Sequence, residues 1–331
     1  MESTRPTTKK CMETAEKPQI SILMAIYEPR MDWLREQLQS LDSQTYPNLK
    51  LYIRDDCSPT VPFVEIQSLI KDCISAFPYE LKRNEKNMGS NGTFERLTQE
   101  ADGDYFAYCD QDDIWLPEKL ERLEGQLSCE SGELICSDVL LIDGQGNQFA
   151  DSITALRPRH VFRQGSGLAP TLIYRNFAIG CTMLVDSGAA KAALPFAKTM
   201  VHDHYLAFFC AMRGPILVCP EHLVRYRIHD HNQTSVLAKV QDCESYRLYH
   251  MQPFYERIKE LSERFQLPEL TVAEQWARAR MDNAERKHHS MRALWKLRAC
   301  NQTTTLFELV ALRMPNSIFQ WMLHQIQRGK V

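Results

Sequence analysis

The stretch Tyr105-Phe106-Ala107-Tyr108-Cys109-Asp110-Gln111-Asp112-Asp113-Ile114-Trp115-Leu116-Pro117 decides the fold. Tyr105 to Cys109 reads as a short strand buried on both faces, the pattern of a strand inside a parallel sheet. Three carboxylates in four positions follow at once, and Pro117 then sits where a helix favours proline in its first turn. The acids are thus fixed between a buried strand and the apolar Ile114-Trp115-Leu116. Clustered carboxylates repel one another unless a cation neutralises them, and alternation puts Asp110 and Asp112 on the same side of an extended chain. A hard divalent ion with oxygen ligands, Mg²⁺ or Mn²⁺, answers that need and keeps positions open for phosphate. The competing reading is a solvated acidic turn that caps the following helix.

Working outward, short apolar runs alternate with amphipathic segments, the signature of an α/β sheet. Ile20 to Ile26 is a near-continuous apolar strand. Asp32 is expected as the N-cap of a helix carrying Trp33, Leu34, Leu38 and Leu41. Leu49 to Ile53 reads as a second strand ending at Asp55-Asp56, followed by a helix through Val64, Leu69, Cys73 and Phe77. A helix from about Gly92 to Ala101 leads into Tyr105, and Leu134 to Ile142 continues the strand pattern. In open α/β sheets ligands bind outside the carboxyl ends of the strands, so the two acidic clusters converge on one crevice. Asp151 to Gly167 is a loop rich in Arg, Gly and Pro, a candidate lid or acceptor loop. From Tyr246 onward the chain reads as helix, with breaks near Pro268 and Pro315.

The chain has 331 residues and a net charge of −3, with 44% hydrophobic and 24% charged residues, so disorder is excluded and a sizeable core is expected. A pI near 6.4 excludes a protein that grips nucleic acid through its phosphates. The eleven cysteines are odd in number and scattered, with no CxxC, which reads as reduced thiols and a cytoplasmic location. Met1 to Lys17 is polar and is expected as a disordered lead-in over residues 1–18, neither signal peptide nor anchor. No segment approaches the ~20 apolar residues of a membrane span. There is no GxxxxGK[ST], GxGxxG or GxSxG, so P-loop, dinucleotide and serine-hydrolase chemistries lose their usual support.

Three further clusters are candidates. Asp55 or Asp56 could accept a hydrogen bond from a pyrimidine N–H, or form an Asx turn through Ser58-Pro59. Asn87-Met88-Gly89-Ser90-Asn91-Gly92 offers amides ahead of a helix, suited to a phosphate or to a plain cap. In His202-Asp203-His204, zinc is disfavoured for want of a closed ligand pattern. A carboxylate held partly desolvated there suits a general base, and a helix-capping role is the alternative.

Seven segments together resemble family-2 glycosyltransferases, within them a bacterial rhamnosyltransferase-like branch: ISILMAIYEP, YIRDDCSP, NEKNMGSNGTFERL, YCDQDDIWLPEKL, IGCTMLVD, MVHDHYLAFF and LVRYRIHDHNQT, from Gln19 to about Val236. The resemblance implies a GT-A fold, a Rossmann-like and mostly parallel sheet flanked by helices. It also implies a nucleotide-sugar donor such as dTDP-rhamnose or a UDP-sugar, a divalent metal, and inversion at the anomeric carbon. Carried over by position, Ala25, Tyr27 and Glu28 would line the nucleotide pocket and Asp55 or Asp56 would meet the base. Asn87 and Gly89 would lie by the donor. Asp110, Asp112 and Asp113 would serve the donor side, with Asp110, Asp112 and His229 toward the metal. Asp203 would be the catalytic base. Cys57 departs from the glycine usual in the family's DDGS segment.

This places a catalytic domain at 19–240 and a helical region at 241–331. The expected acceptor is a glycan or lipid-linked glycan of cell-surface polysaccharide synthesis. A metal-dependent nucleotidyltransferase is disfavoured because Tyr27-Glu28-Pro29-Arg30 is no phosphate loop, and a non-catalytic nucleotide binder by the intact acids. Residues 281–331 carry eight Lys/Arg against three acids, interleaved with Trp295, Phe307, Phe319 and Trp321. That segment suits an anionic membrane surface on the cytoplasmic side, and equally a packed helical appendage or a homodimer contact.

Overall fold

A computed structural model of the chain describes residues 17–229 and 239–327. The expected lead-in therefore lies almost wholly outside the described residues, as do residues 230–234 of the LVRYRIHDHNQT segment. The chain runs β1 (Ile20–Ile26), α1 (Met31–Asp42), β2 (Leu49–Asp55), α2 (Phe63–Cys73), β3 (Tyr79–Arg83), α3 (Gly89–Glu100) and β4 (Tyr105–Cys109). Then follow β5 (Ile114–Trp115), α4 (Lys119–Glu130), β6 (Leu134–Ile142), β7 (Gln148–Ala150), α5 (Ala169–Tyr174), β8 (Leu184–Asp186), α6 (Ser187–Ala192), α7 (His202–Arg213) and β9 (Ile216–Arg227).

The strands form one mixed sheet in the order β3-β2-β1-β4-β8-β6-β9-β5, with β7 on the edge of β6. Pairing of β1 with β2, β3 with β2 and β4 with β1 is parallel, while β8 runs antiparallel to both β4 and β6. This is the GT-A architecture expected. The register sets Ile26 beside Asp55 and Met24 beside Cys109, so three strands end at one edge and deliver their following acids to it.

The core lies on both faces of this sheet. Leu34, Leu38 and Leu41 of α1 and Ile66, Leu69 and Ile70 of α2 pack on one face, and Phe94 and Leu97 of α3 with Leu206 and Phe208 of α7 on the other. Several local expectations shift. Asp32 falls inside α1, whose N-cap is Arg30, and its carboxylate pairs with the Arg30 guanidinium. Val64 is exposed and Phe77 lies past the end of α2, because the buried stripe runs through Ile66, Leu69, Ile70 and Cys73.

The C-terminal region comprises α8 (Cys243–Tyr246), a π-turn at Arg247–Met251, α9 (Gln252–Arg264), α10 (Pro268–Ala284), α11 (Ser290–Lys296), α12 (Gln302–Ala311) and α13 (Asn316–Gln327). It is welded to the sheet domain, since Ile258, Leu261, Leu270 and Ala273 share a core with Leu172, Ile173 and Phe208. Glu308 of α12, fully buried, takes Arg280 Nε at 2.9 Å and Tyr246 Oη at 2.9 Å. No helix among the described residues is long and apolar enough to cross a membrane.

Candidate active site

The acid loop after β4 is held from three sides. Gln111 clamps the backbone of Tyr27, accepting from its N–H at 2.8 Å and donating to its carbonyl at 3.0 Å. Arg227, at the end of β9 and 1% exposed, donates from its backbone N–H to Asp113 Oδ1 at 3.0 Å and from Nε to the Asp112 carbonyl at 2.8 Å. The same guanidinium reaches the Asp143 carbonyl at 3.1 Å and Glu36 at 2.5 Å, so one side chain ties the acid loop to α1 and to the β6–β7 turn. Asp112 Oδ2 and His229 Nε2 are 2.7 Å apart, and the imidazole leans on Trp33.

Asp110, Asp113 and Cys181 form a second grouping, with one potential ligand atom from each within 4.8 Å of the others. Beneath them the buried Lys119 donates from Nζ to the Cys181 carbonyl at 2.7 Å, and burial lowers its pKa to about 7. Burial, followed by the charges of Asp112 and Asp203, raises the pKa of Asp110. Burial also pushes Asp113 well up and the Cys181 thiol well up. A neutral thiol is a poor ligand for a hard cation. Asp113, 1% exposed and bonded to Arg227, faces the protein and not a nucleotide. Asp112 with His229 forms a separate oxygen–nitrogen pair next to Asp110, both carboxylates half-buried, and a hard divalent ion held on this side would offset the burial and like charge that raise Asp110.

Asp203 stands in the first turn of α7, whose N-cap is Val201, so it does not serve as the cap. Its Oδ1 accepts from the His204 N–H at 2.5 Å and its Oδ2 from the Gly180 N–H at 3.2 Å. Burial raises its pKa to about 6, while those two N–H groups and the charge of Arg157 pull it back down. The flanking imidazoles are not its partners. His204 Nε2 bonds the Leu172 carbonyl at 2.6 Å, and His202 stacks on Phe94 at 4.1 Å with its Nε2 lacking a hydrogen bond. Burial lowers both to about 3, so both are neutral. Asn91 joins α3 to this turn by accepting from the His202 N–H at 2.7 Å.

At the base side, Asp55 is wholly buried and takes Ser58 Oγ at 2.5 Å and Arg83 Nε at 3.1 Å. Asp56 accepts from Asn84 Nδ2 at 2.7 Å, Met88 N–H at 2.7 Å and Gly89 N–H at 2.8 Å. Both acids shape the turns that border the crevice. Glu28, at φ 45°, fixes the 58–61 turn by accepting from the Thr60 hydroxyl and from the Thr60 N–H at 2.8 Å, which together lower its pKa. Tyr27 leaves its ring exposed above the end of β1, next to Ala25, and Asn87 lies exposed beside Gly89.

The expected residues are therefore gathered at the carboxyl edge of β1, β2 and β4, with Asp203 entering from α7. Gln111, Arg227, Lys119 and Gly180 are not evident as site residues in the sequence. A glutamine between acids, a lysine in an amphipathic helix and an arginine ending a strand carry no pattern of their own. All four lie inside segments quoted above, YCDQDDIWLPEKL, LVRYRIHDHNQT and IGCTMLVD, which are distinctive without showing what these residues hold.

Comparison with known proteins agrees with this geometry. The chain is 24% identical over 254 residues to an uncharacterized glycosyltransferase of Methanocaldococcus jannaschii, covering 74% of this chain and 82% of that one. Its fold is similar to S. aureus TarS 1-349 solved with UDP-GlcNAc (TM-score 0.59, 14% identity, 94% of this chain and 92% of that one). It is also similar to the mannosyltransferase PcManGT of Pyrobaculum calidifontis solved with GDP-Man and Mn²⁺ (TM-score 0.55, 13% identity, 97% and 90%). The model of glycosyl transferase family 2 matches residues 21–189, just over half of the chain, and with the mixed sheet and its edge of acids this makes the protein a member of that family.

Proposed function

We propose that the protein is an inverting, metal-dependent glycosyltransferase that moves a hexose or deoxyhexose from a nucleoside diphosphate to a glycan or lipid-linked acceptor of cell-surface polysaccharide. The observation that carries this reading is the convergence of two kinds of acid at one strand edge. Asp112, paired with His229, stands next to Asp110, and near Asp110 stands Asp203, half-buried at a pKa of about 6. The solved neighbours bind UDP-GlcNAc in one case and GDP-Man with Mn²⁺ in the other, which supports a nucleotide-sugar donor here.

In this scheme Ala25, Tyr27 and Glu28 border the nucleotide, Asp55 or Asp56 the base, and Asn87 and Gly89 the donor beside α3. Asp110, Asp112 and His229 would hold Mn²⁺ or Mg²⁺, and such an ion supplies Lewis-acid stabilisation of the departing diphosphate. The acceptor hydroxyl forms its bond to the anomeric carbon as the bond to the diphosphate breaks, and Asp203 takes the hydroxyl proton. The N–H groups of Gly180 and His204 fix the carboxylate's direction before the acceptor arrives. Asp113, turned inward to Arg227, supports the loop in this scheme.

The domain division at about 240 and a cytoplasmic location belong to the same proposal, as does a peripheral seat on the inner face of the membrane. Exposed Trp295, Leu306, Val310, Ile318 and Trp321 beside Arg292, Lys296 and Arg298 support that seat. The test of the central reading is a thermal-shift panel of UDP, dTDP and GDP with and without Mn²⁺, because a ligand of the native state raises its apparent stability. One nucleotide should raise the midpoint, and more so with the metal. A flat panel would refute the donor assignment.

A further inference from the structure

Residues 151–167 form a strap over the Asp203 side of the crevice, pinned at three points. At its start Asp138 accepts from Ser152 Oγ at 2.5 Å and from the Ile153 N–H at 3.0 Å. In the middle, His160 Nε2 lies 3.1 Å from the Phe177 carbonyl and its ring packs edge-on against Phe162. At the end, Gly165 exchanges two backbone hydrogen bonds with Ile216, of 2.8 and 3.0 Å. The strap is therefore ordered without any help from its charges. Those charges are Arg157, Arg159 and Arg163 against Asp151 alone. Arg159 and Arg163 are exposed, Arg157 is half-buried toward Asp203, and none of the three guanidinium groups makes a hydrogen bond or ion pair among the described residues.

Arg159 and Arg163 so placed add no contact to the fold, and Arg157 gives it only a charge toward Asp203, which leaves all three guanidinium groups able to take a ligand. The donor does not need them, since its diphosphate belongs on the opposite side of the crevice at Asp112 and His229. Guanidinium groups match phosphate oxygens in bidentate fashion, and three of them spaced along a strap suit an anionic chain better than one isolated charge. We infer that the acceptor carries phosphate close to the hydroxyl that is glycosylated, and that Arg157, Arg159 and Arg163 bind that phosphate and thereby bring the hydroxyl to Asp203. This rests on the glycosyltransferase reading above and adds the acceptor class to it.

The test is binding of the full chain to a glycan array holding phosphodiester-bearing, diphosphate-lipid, uronic-acid and neutral glycans. The chain is first saturated with Mn²⁺ and the nucleoside diphosphate selected by the thermal-shift panel, so that the donor site is already filled. Phosphorylated glycans should be retained over neutral ones, with the phosphodiester and diphosphate-lipid arms telling apart a polymer and a lipid carrier. The double variant Arg159→Glu/Arg163→Glu should lose at least about tenfold in that binding while its midpoint shift with nucleoside diphosphate stays unchanged. Both positions are exposed, so the variant should fold. Equal retention of neutral glycans, preference for uronic acids, no retention of phosphorylated glycans, or undiminished binding by the variant would overturn the inference. The nucleotide panel itself fails only if the donor reading fails, so the two are separable.

Discussion

Replacing Asp203 by asparagine separates its chemical role from its cost to the fold. The carboxylate's pKa is about 6 against an ordinary 3.8, and the first cause is burial. A raised folded-state value means that the folded protein keeps a proton which the unfolded chain releases earlier. The associated stability is full below the ordinary value and is lost as pH rises through about 6. Between pH 5 and pH 8 the loss amounts to about 1.4 kcal/mol, one pKa unit's worth, and solvent at the half-buried carboxylate trims it to about 1. Asparagine does not titrate. It keeps one of the two N–H bonds, from His204 or Gly180, and sets its amide against the other, a penalty independent of pH. Urea melts of both proteins at pH 5, 6, 7 and 8 should therefore show the variant gaining about 1 kcal/mol on the wild type across that range. Transfer, assayed by release of nucleoside diphosphate with acceptor present, should fall by about a hundredfold to ten-thousandfold. Donor affinity should hold. The wild-type rate should rise with pH to a plateau above about 6. A pH-independent stability difference, or a variant with a tenth of the wild-type rate, would refute the argument.

Asp112→Ala should weaken metal-supported donor binding at least about tenfold and abolish its response to Mn²⁺, as read by titration calorimetry with and without the ion. A Cβ on Gly180 would meet His202 Nε2 at 3.2 Å and Asp203 Cβ at 3.4 Å, with His202 wedged against Phe94. Gly180→Ala should thus shift the base by a few tenths of an ångström and lower kcat about tenfold with donor Kd unchanged. Glu308→Gln leaves the 2%-exposed Arg280 without its counter-ion. Its expected cost is about 3–5 kcal/mol, visible as a midpoint about 5–10 °C lower by calorimetry. Cys57 occupies φ 61°, where glycine is at ease. Cys57→Gly should stabilise by about 0.5–1 kcal/mol in urea melts.

The strands that announce themselves in the sequence are the ones buried on both faces. Ile20–Ile26, Tyr105–Cys109 and Leu134–Ile142 are mostly apolar, interrupted only by Ser21, Ser137 and Asp138, because neighbouring strands and helices cover them. The others lack that imprint. Tyr79–Arg83 is a half-exposed edge strand of mixed polarity, Ile114–Trp115 has only two residues, and Gln148–Ala150 is mostly solvated. These exist through pairing with β2, β9 and β6, which is tertiary information. The helices show the same division. Leu34, Leu38 and Leu41 reveal α1, whereas the end and the buried face of α2 are misjudged, because Phe77 lies beyond the helix and Val64 is an apolar residue facing water. At the site, charged residues were legible and their supports were not. Asp110 and Asp112 stand out because clustered carboxylates at a strand end repel one another, and Asp203 because it lies between two imidazoles ahead of an apolar run. Gln111 and Arg227 hold them by backbone bonds, and nothing in their own neighbourhood of sequence shows what they will reach.

The distribution of charge explains why the site calls for something the chain does not provide. Asp110, Asp112 and Asp203 face one crevice, and Asp113 lies just behind. The cations nearby are committed elsewhere. Arg227 pairs its charge with Glu36 and donates to the Asp112 and Asp143 carbonyls. Lys119 bonds a carbonyl and is held near pKa 7 by burial, so at neutral pH it is a half-charge at best. Arg157 acts on Asp203. With no full cation shown between Asp110 and Asp112 among the described residues, the pair's repulsion is relieved either by a proton, which adds to the burial that raises Asp110, or by a divalent ion. The proton leaves the crevice closed to an anionic diphosphate, whereas the ion reverses its sign and admits one. On this argument metal and donor should bind cooperatively, each raising the other's affinity by the same factor. Metal titrations in the presence and absence of nucleoside diphosphate would measure that factor, and a value of one would show that the acids serve the fold alone.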